Sequence, residues 1–115
     1  MTAGQPMDTY RNRTSGNIMK SYFCKYIPPR PDFFATMTPV ETNVMSDRDA
    51  WQTTLLNHGL IAAHGSVDDA DGRYDVVIYT VATYDDVRDV TAEDPLIRSG
   101  IGSYQIFDMP VLRTL

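Results

Sequence analysis

The sequence predicts an α+β domain of the ferredoxin-like kind, β-α-β-β-α-β, with a four-stranded antiparallel sheet carrying both helices on one face. Three observations predict it. Four short segments rich in aromatic and β-branched residues are each bounded by Pro or Gly. Two stretches open on a capping threonine and carry helical spacing. The segments alternate in the order that this arrangement requires.

Residues 1–18 are polar and irregular, with too few apolar residues to bury themselves, and read as an N-terminal extension to a domain over 19–115. Residues 21–27 (SYFCKYI) form the first predicted strand, stopped by Pro28 and Pro29, which cannot continue a ladder. The stiff loop that follows is expected to be tacked to the body by Phe33 and Phe34. Thr38-Pro39-Val40-Glu41 combines a cap, a first-turn proline and a capping-box glutamate. The helix it opens should reach about Asn57, with Gly59 as a left-handed cap. Its stripe is Val40, Val44, Trp51 and Leu55, and Arg48 falls on that stripe. A charge there is costly unless it finds a partner or water.

Residues 60–67 (LIAAHGSV) and 74–82 (YDVVIYTVA) read as a hairpin around the acidic turn Asp68 to Gly72. Thr83 caps a short second helix, favoured by Asp85 and Asp86 at its positive end and finished near Asp94-Pro95. Residues 102–109 (GSYQIFDM) form the last strand, stopped by Pro110.

The third strand does not alternate as a one-sided strand should. Val76, Ile78 and Ala82 lie on one face, and Val77, Tyr79 and Val81 on the other. Helices can cover one face only. At about 25 cal/mol per Å² of apolar surface, a wet second face forfeits several kcal/mol. A second copy is the expected cover, sheet to sheet, giving a two-fold homodimer; the alternative is that the extension or the Pro-rich loop folds over it.

Composition narrows the function. The chain has 115 residues, 43% hydrophobic and 22% charged, with a net charge of −5, and so is a single ordinary globular domain. An acidic chain without a Lys/Arg run disfavours nucleic acid and anionic membranes. Cys24 is the one cysteine, so no internal disulfide forms, in keeping with a cytoplasmic setting. The longest apolar run, Val76 to Ala82, is far too short to span a bilayer. No hydrolase, zinc-protease, P-loop or dinucleotide motif is present, and two histidines make no convincing metal site, so no cofactor is expected.

The polar groups on buried elements are the better lead. His64, on the second strand, shares a face with Leu60, Ala62 and Ser66 in strict alternation. It either faces a cavity, where an imidazole can move a proton, or ends its strand bonded to backbone or water. His58 ends the first helix and suits its dipole. Asp94 either terminates the second helix or aims a carboxylate into a cavity mouth. Arg48 holds a carboxylate, from Asp94 or a ligand, or extends to solvent. Cys24 reads as a buried small hydrophobe. Tyr22, Tyr26, Tyr79 and Tyr104 sit on strands as core, or as pocket lining with a hydroxyl handle.

Several stretches together resemble the YCII-related proteins: YFCKYIPPRPDFFATMTPVE, a helix ending in NHG, AAHGSV, and AEDPLIRSGIGSYQIFDMP. The resemblance covers about residues 20–113. It implies a dimeric α+β barrel, and an active site made by a first-helix histidine and the aspartate of the D-P motif, which Asp94 matches. The family histidine stands eleven residues before the helix-ending glycine, where this chain has Arg48. Arginine stays protonated and is no ordinary general base. The resemblance therefore implies either cofactor-free proton transfer (isomerase, lyase or cyclase type) with His64 as substitute, or a non-catalytic ligand-binding or accessory subunit that lost the histidine. The candidate catalytic residues are Asp94, Arg48 and His64. Arg30, Ser66, Tyr22 and Tyr104 are the candidate contacts to a small hydrophobic, anionic substrate.

Overall fold

The computed structural model describes residues 18–115, so the extension expected over 1–18 lies, except for Ile18, outside the described residues. The chain runs β1 (Lys20–Ile27), a 3-10 turn (Phe33–Ala35), α1 (Pro39–Asn57), β2 (Ile61–Val67), β3 (Tyr74–Val81), α2 (Tyr84–Ala92), the single-turn α3 (Pro95–Arg98) and β4 (Ser103–Met109). All three strand pairings are antiparallel, in the order β2-β3-β1-β4. This is the α+β architecture that the sequence predicts.

Local chemistry explains the element boundaries. Thr38 and Glu41 form the full capping box: Thr38 Oγ1 accepts from the Glu41 N–H at 3.1 Å, and Glu41 Oε1 accepts from the Thr38 N–H at 2.9 Å. Gly59 follows α1 at φ +77°, the left-handed geometry of a helix stop. Thr83 caps α2 by accepting from Asp86 N–H at 3.0 Å. The helix expected to end near Asp94 ends at Ala92, and Asp94 then caps a further single turn, α3, beyond the two expected helices.

The helices and one sheet face enclose two adjoining cores. In one, Leu55 of α1 and Val87 and Val90 of α2 pack on Cys24, Val77 and Val81. In the other, Tyr26, Phe33 and Leu96 meet beneath the Pro-rich loop, and Tyr104 touches both. Phe33 is fully buried and edge-on to Phe34, with ring centres 5.1 Å apart, so the pair does anchor the loop.

Register sorts each strand into two faces, because directly paired residues share a face. One row on the helix side reads Ser66–Asp75–Tyr26–Tyr104, and the next His64–Val77–Cys24–Ile106. On the opposite side, Ala63–Ile78–Phe23–Phe107 crosses all four strands. Phe107 is 49% exposed, and its ring centre lies 6.1 Å from that of Phe23.

Two expectations need correction. Val40 is 69% exposed and stays outside the core, while Val44, Trp51 and Leu55 pack on it and Arg48 and Gln52 are buried on the same side. In β2 an irregularity between Ile61 and Ala63 shifts the register. His64 therefore shares its face with Ile61 and Ser66, while Ala62 marks the bulge, which strict alternation cannot anticipate.

Gly102 marks the tightest backbone approach. Its φ is +81°, and a Cβ there would collide with the Tyr26 hydroxyl and stand 2.6 Å from the Ile27 carbonyl oxygen. Gly102→Ala is expected to destabilise the fold by about 1–3 kcal/mol from backbone strain alone, and by more once the Tyr26 clash is included. Urea unfolding checks this; an unchanged midpoint would show that the β4 entry has room to relax.

Candidate functional site

The centre of the site is a buried cation. Arg48 projects from α1 onto the sheet and is 1% exposed. Its guanidinium carbon lies 4.8 Å from the Tyr26 ring centre. Nε donates to Asp94 Oδ2 at 2.9 Å, and Nη1 donates to Asp75 Oδ2 at 2.8 Å. Nη2 faces the Tyr104 hydroxyl at a long 3.4 Å. Burial works against the charge, yet Tyr104 and Asp94 outweigh it and hold the guanidinium above its ordinary value.

Each carboxylate has further donors. Tyr104 donates to Asp94 Oδ2 at 2.6 Å, and the Leu96 N–H donates to Asp94 Oδ1 at 2.9 Å. Asp94 is fully buried, so it caps α3 and clamps Arg48 with no face left for a ligand. Asp75 Oδ1 accepts from Ser66 Oγ at 2.9 Å and lies 3.4 Å from Arg73 Nη2, which also donates to Ser66 Oγ at 2.8 Å. Two arginines and two aspartates thus form one neutral network. Burial, followed by the charge of Asp94, pushes the Tyr104 hydroxyl up, so it remains a donor at any ordinary pH. Tyr79 lies deeper, its hydroxyl without a hydrogen-bond partner and raised well above its usual value by burial and then by Tyr104.

A cleft of about 240 Å³ opens beside this network, between α1 and the β2–β3 strands. Arg48, His64, Ser66, Arg73 and Asp75 contribute to its walls, with Gln52 and Asp49 from α1. His64 and Ser66 are exposed there. Of the candidates named from sequence, the structure brings Arg48, His64 and Ser66 to one cleft and puts Asp94 and Tyr104 in contact with Arg48 behind it.

Arg30 and Tyr22 lie elsewhere. Arg30 makes a fork to Glu41, with Nη1 to Oε2 at 3.0 Å and Nη2 to Oε1 at 2.8 Å, and ties the Pro-rich loop to the start of α1. The Arg30 hydrogen bonds, then the Thr38 N–H, hold the Glu41 carboxyl down to about 2. Arg30 also borders a groove of about 320 Å³ along that loop. Tyr22 is 3% exposed near the opposite end of the sheet, edge-on to Tyr84. His58 takes the helix-end role, its Nδ1 lying 2.8 Å from the Thr54 carbonyl. Burial pushes the Cys24 thiol up to about 12, which makes it inert.

Sequence reasoning missed Asp75, Arg73 and Gln52. Asp75 carried a signal: it stands in phase with Val77, Tyr79 and Val81, so it is an acid on the strand's buried face. Gln52 carried a similar one, four residues beyond Arg48 on the same helix face; Arg73 carried none, since its place depends on how the turn packs. Among the described residues, no three His, Cys, Asp or Glu side chains are grouped to hold a metal ion, and no helix is long and apolar enough to cross a membrane. In comparisons with known proteins, the chain matches no family model and no curated protein.

Breaking the ion pair should be costly, because it leaves the buried network of Arg48, Arg73 and Asp75 with an excess positive charge. Asp94→Asn is expected to lower stability by about 3–5 kcal/mol in urea unfolding. Adding Arg48→Met should recover part of that loss, because the network is then neutral again. If the double variant is as unstable as the two single losses added, the residues do not act as a pair.

Proposed function

We propose that this protein is a YCII-like small-molecule enzyme that performs proton transfer without a metal or organic cofactor, of isomerase, lyase or cyclase type, in the Arg48 cleft. The observation that carries this reading is the position of His64 on an exposed wall of that cleft, beside a rigid, internally neutralised polar floor. Imidazole is the side chain best suited to gain and release a proton near neutrality. Arg48 cannot do so, and Asp94 is occupied in orienting Arg48. The division of labour is then His64 for the proton and the Ser66 hydroxyl for positioning, with Arg48 holding Asp75 beneath Ser66.

The test is a screen against lactones and cyclic enones, followed by His64→Gln. Turnover is expected to fall by about 100-fold or more with the melting temperature unchanged. A variant that retains full turnover removes His64 from the chemistry.

One observation favours a second reading, a ligand-binding or accessory subunit without turnover. Arg48 and Asp94, which stand where the resemblance places the reacting pair, spend their hydrogen bonds on each other and on Asp75, Tyr104 and Leu96. In that case the same screen returns binding without product, and His64→Gln leaves affinity within a few-fold.

The same reading makes the protein a homodimer, closed sheet to sheet as an α+β barrel, in a cytoplasmic setting. The apolar row Ala63–Ile78–Phe23–Phe107 supports it, since both helices pack on the other face. Sedimentation is expected to give twice the 12.9 kDa chain mass, and Phe107→Asp should shift it to the monomer. A monomeric parent protein would overturn the shared-barrel reading.

A further inference from the structure

This inference rests on the reading of the Arg48 cleft as a ligand site, and it concerns which charge receives the ligand. Arg48 is poorly placed to do so. Two of its nitrogens are bound to buried carboxylates, and the third faces Tyr104. An anion arriving at Arg48 would meet Asp75 and Asp94 before any free donor.

Arg73 has the opposite character. Its side chain is 39% exposed, and it lines both the cleft and the neighbouring groove along the Pro-rich loop. Its guanidinium carbon sits 3.9 Å from the Phe34 ring centre, so the group is fixed from one side. Nη2 is held by Ser66 and Asp75. Nε is buried with no hydrogen-bond partner, and Nη1 donates to no described residue. A guanidinium held in place with donors to spare is the group that recognises a carboxylate. The charge of Arg73 balances the groups behind it, Arg48 with Asp75 and Asp94, so what it offers an incoming anion is unspent donors in a fixed place rather than surplus charge; His64 stands on the same cleft wall.

The α1 wall adds a second requirement. Asp49 faces the cleft there, with Gln52 beside it. Asp49 repels a second negative charge and accepts from a hydroxyl or amino group. The cleft volume of about 240 Å³ corresponds to about eight waters at ~30 Å³ each, which limits the ligand to a compact molecule.

We propose that Arg73 is the anion anchor of the cleft, and that the ligand is a small monocarboxylate carrying a hydrogen-bond donor at its other end. The carboxylate lies against Arg73 Nη1 and the donor faces Asp49. Arg48 is a positioning residue that holds Asp75 and, through it, Ser66 and Arg73.

The experiment is an amide NMR titration of the full chain with 4-hydroxybenzoate, 4-hydroxybenzamide and benzene-1,4-dicarboxylate. It is repeated on Arg73→Gln and Arg73→Lys, with thermal melts to establish that both variants fold. The expected result is that 4-hydroxybenzoate shifts the Gly65, Ser66 and Arg73 resonances, while the amide and the dicarboxylate bind at least tenfold more weakly. Arg73→Gln weakens the acid at least tenfold, and Arg73→Lys retains an intermediate affinity. Equal binding of acid and amide, unaffected by Arg73→Gln, overturns the anion anchor while leaving the cleft a ligand site. No response to any of the three compounds at those resonances overturns both the anchor and the cleft reading. If Arg73→Gln is unfolded, the comparison of acid with amide on the parent protein decides the matter alone.

Discussion

The interaction on which the rest of this structure depends is the burial of one positive charge, Arg48, between a helix and a sheet. An isolated guanidinium in such a place is prohibitively unfavourable, so the surroundings must answer it. Here a whole row of the sheet does. Tyr26 supplies a ring face, Tyr104 a hydroxyl and Asp75 a carboxylate, each from a different strand. Asp94 arrives from the far side of α2 to complete the set. Because these partners come from β1, β3, β4 and the α2–α3 corner, forming the ion pair and assembling the domain are one event.

That coupling shapes the site. A carboxylate that accepts from Arg48, Tyr104 and a backbone N–H cannot also serve a substrate, so Asp94 becomes part of the frame. The cleft is walled one step further out, by the side chains that lean on the frame: Ser66 and Arg73 through Asp75, and His64 on the adjoining row. The bulge in β2 is what brings His64 to the cleft side in step with Ser66. Without it, every side chain beyond Ala62 would point to the other face.

The two faces of the sheet have different chemistry for related reasons. The helix side carries two apolar cores with the polar row between them. The other side carries an apolar row that no helix among the described residues covers, yet it alternates with Lys25, Gln105 and Thr80 rather than forming a continuous greasy surface. A face of that kind is suited to a partner of similar mixed character, as a second copy of the chain would be.

The sequence by itself determined the elements and their order. Capping boxes, prolines and glycines act over a few residues, so Thr38, Pro39, Gly59, Thr83 and Pro110 state where helices and strands begin and stop. It also exposed the conflict at Arg48, a charge in phase with Val44, Trp51 and Leu55, and the pairing with Asp94 as one way to resolve it. Only the tertiary structure decided the rest. Asp75 as the second partner, Arg73 against Phe34, the bulge that turns His64, and the separation of Arg30 and Tyr22 from the cleft all depend on strand register and on which helix face lands where. Those are properties of contacts between residues far apart in the chain, and local sequence pattern carries no term for them.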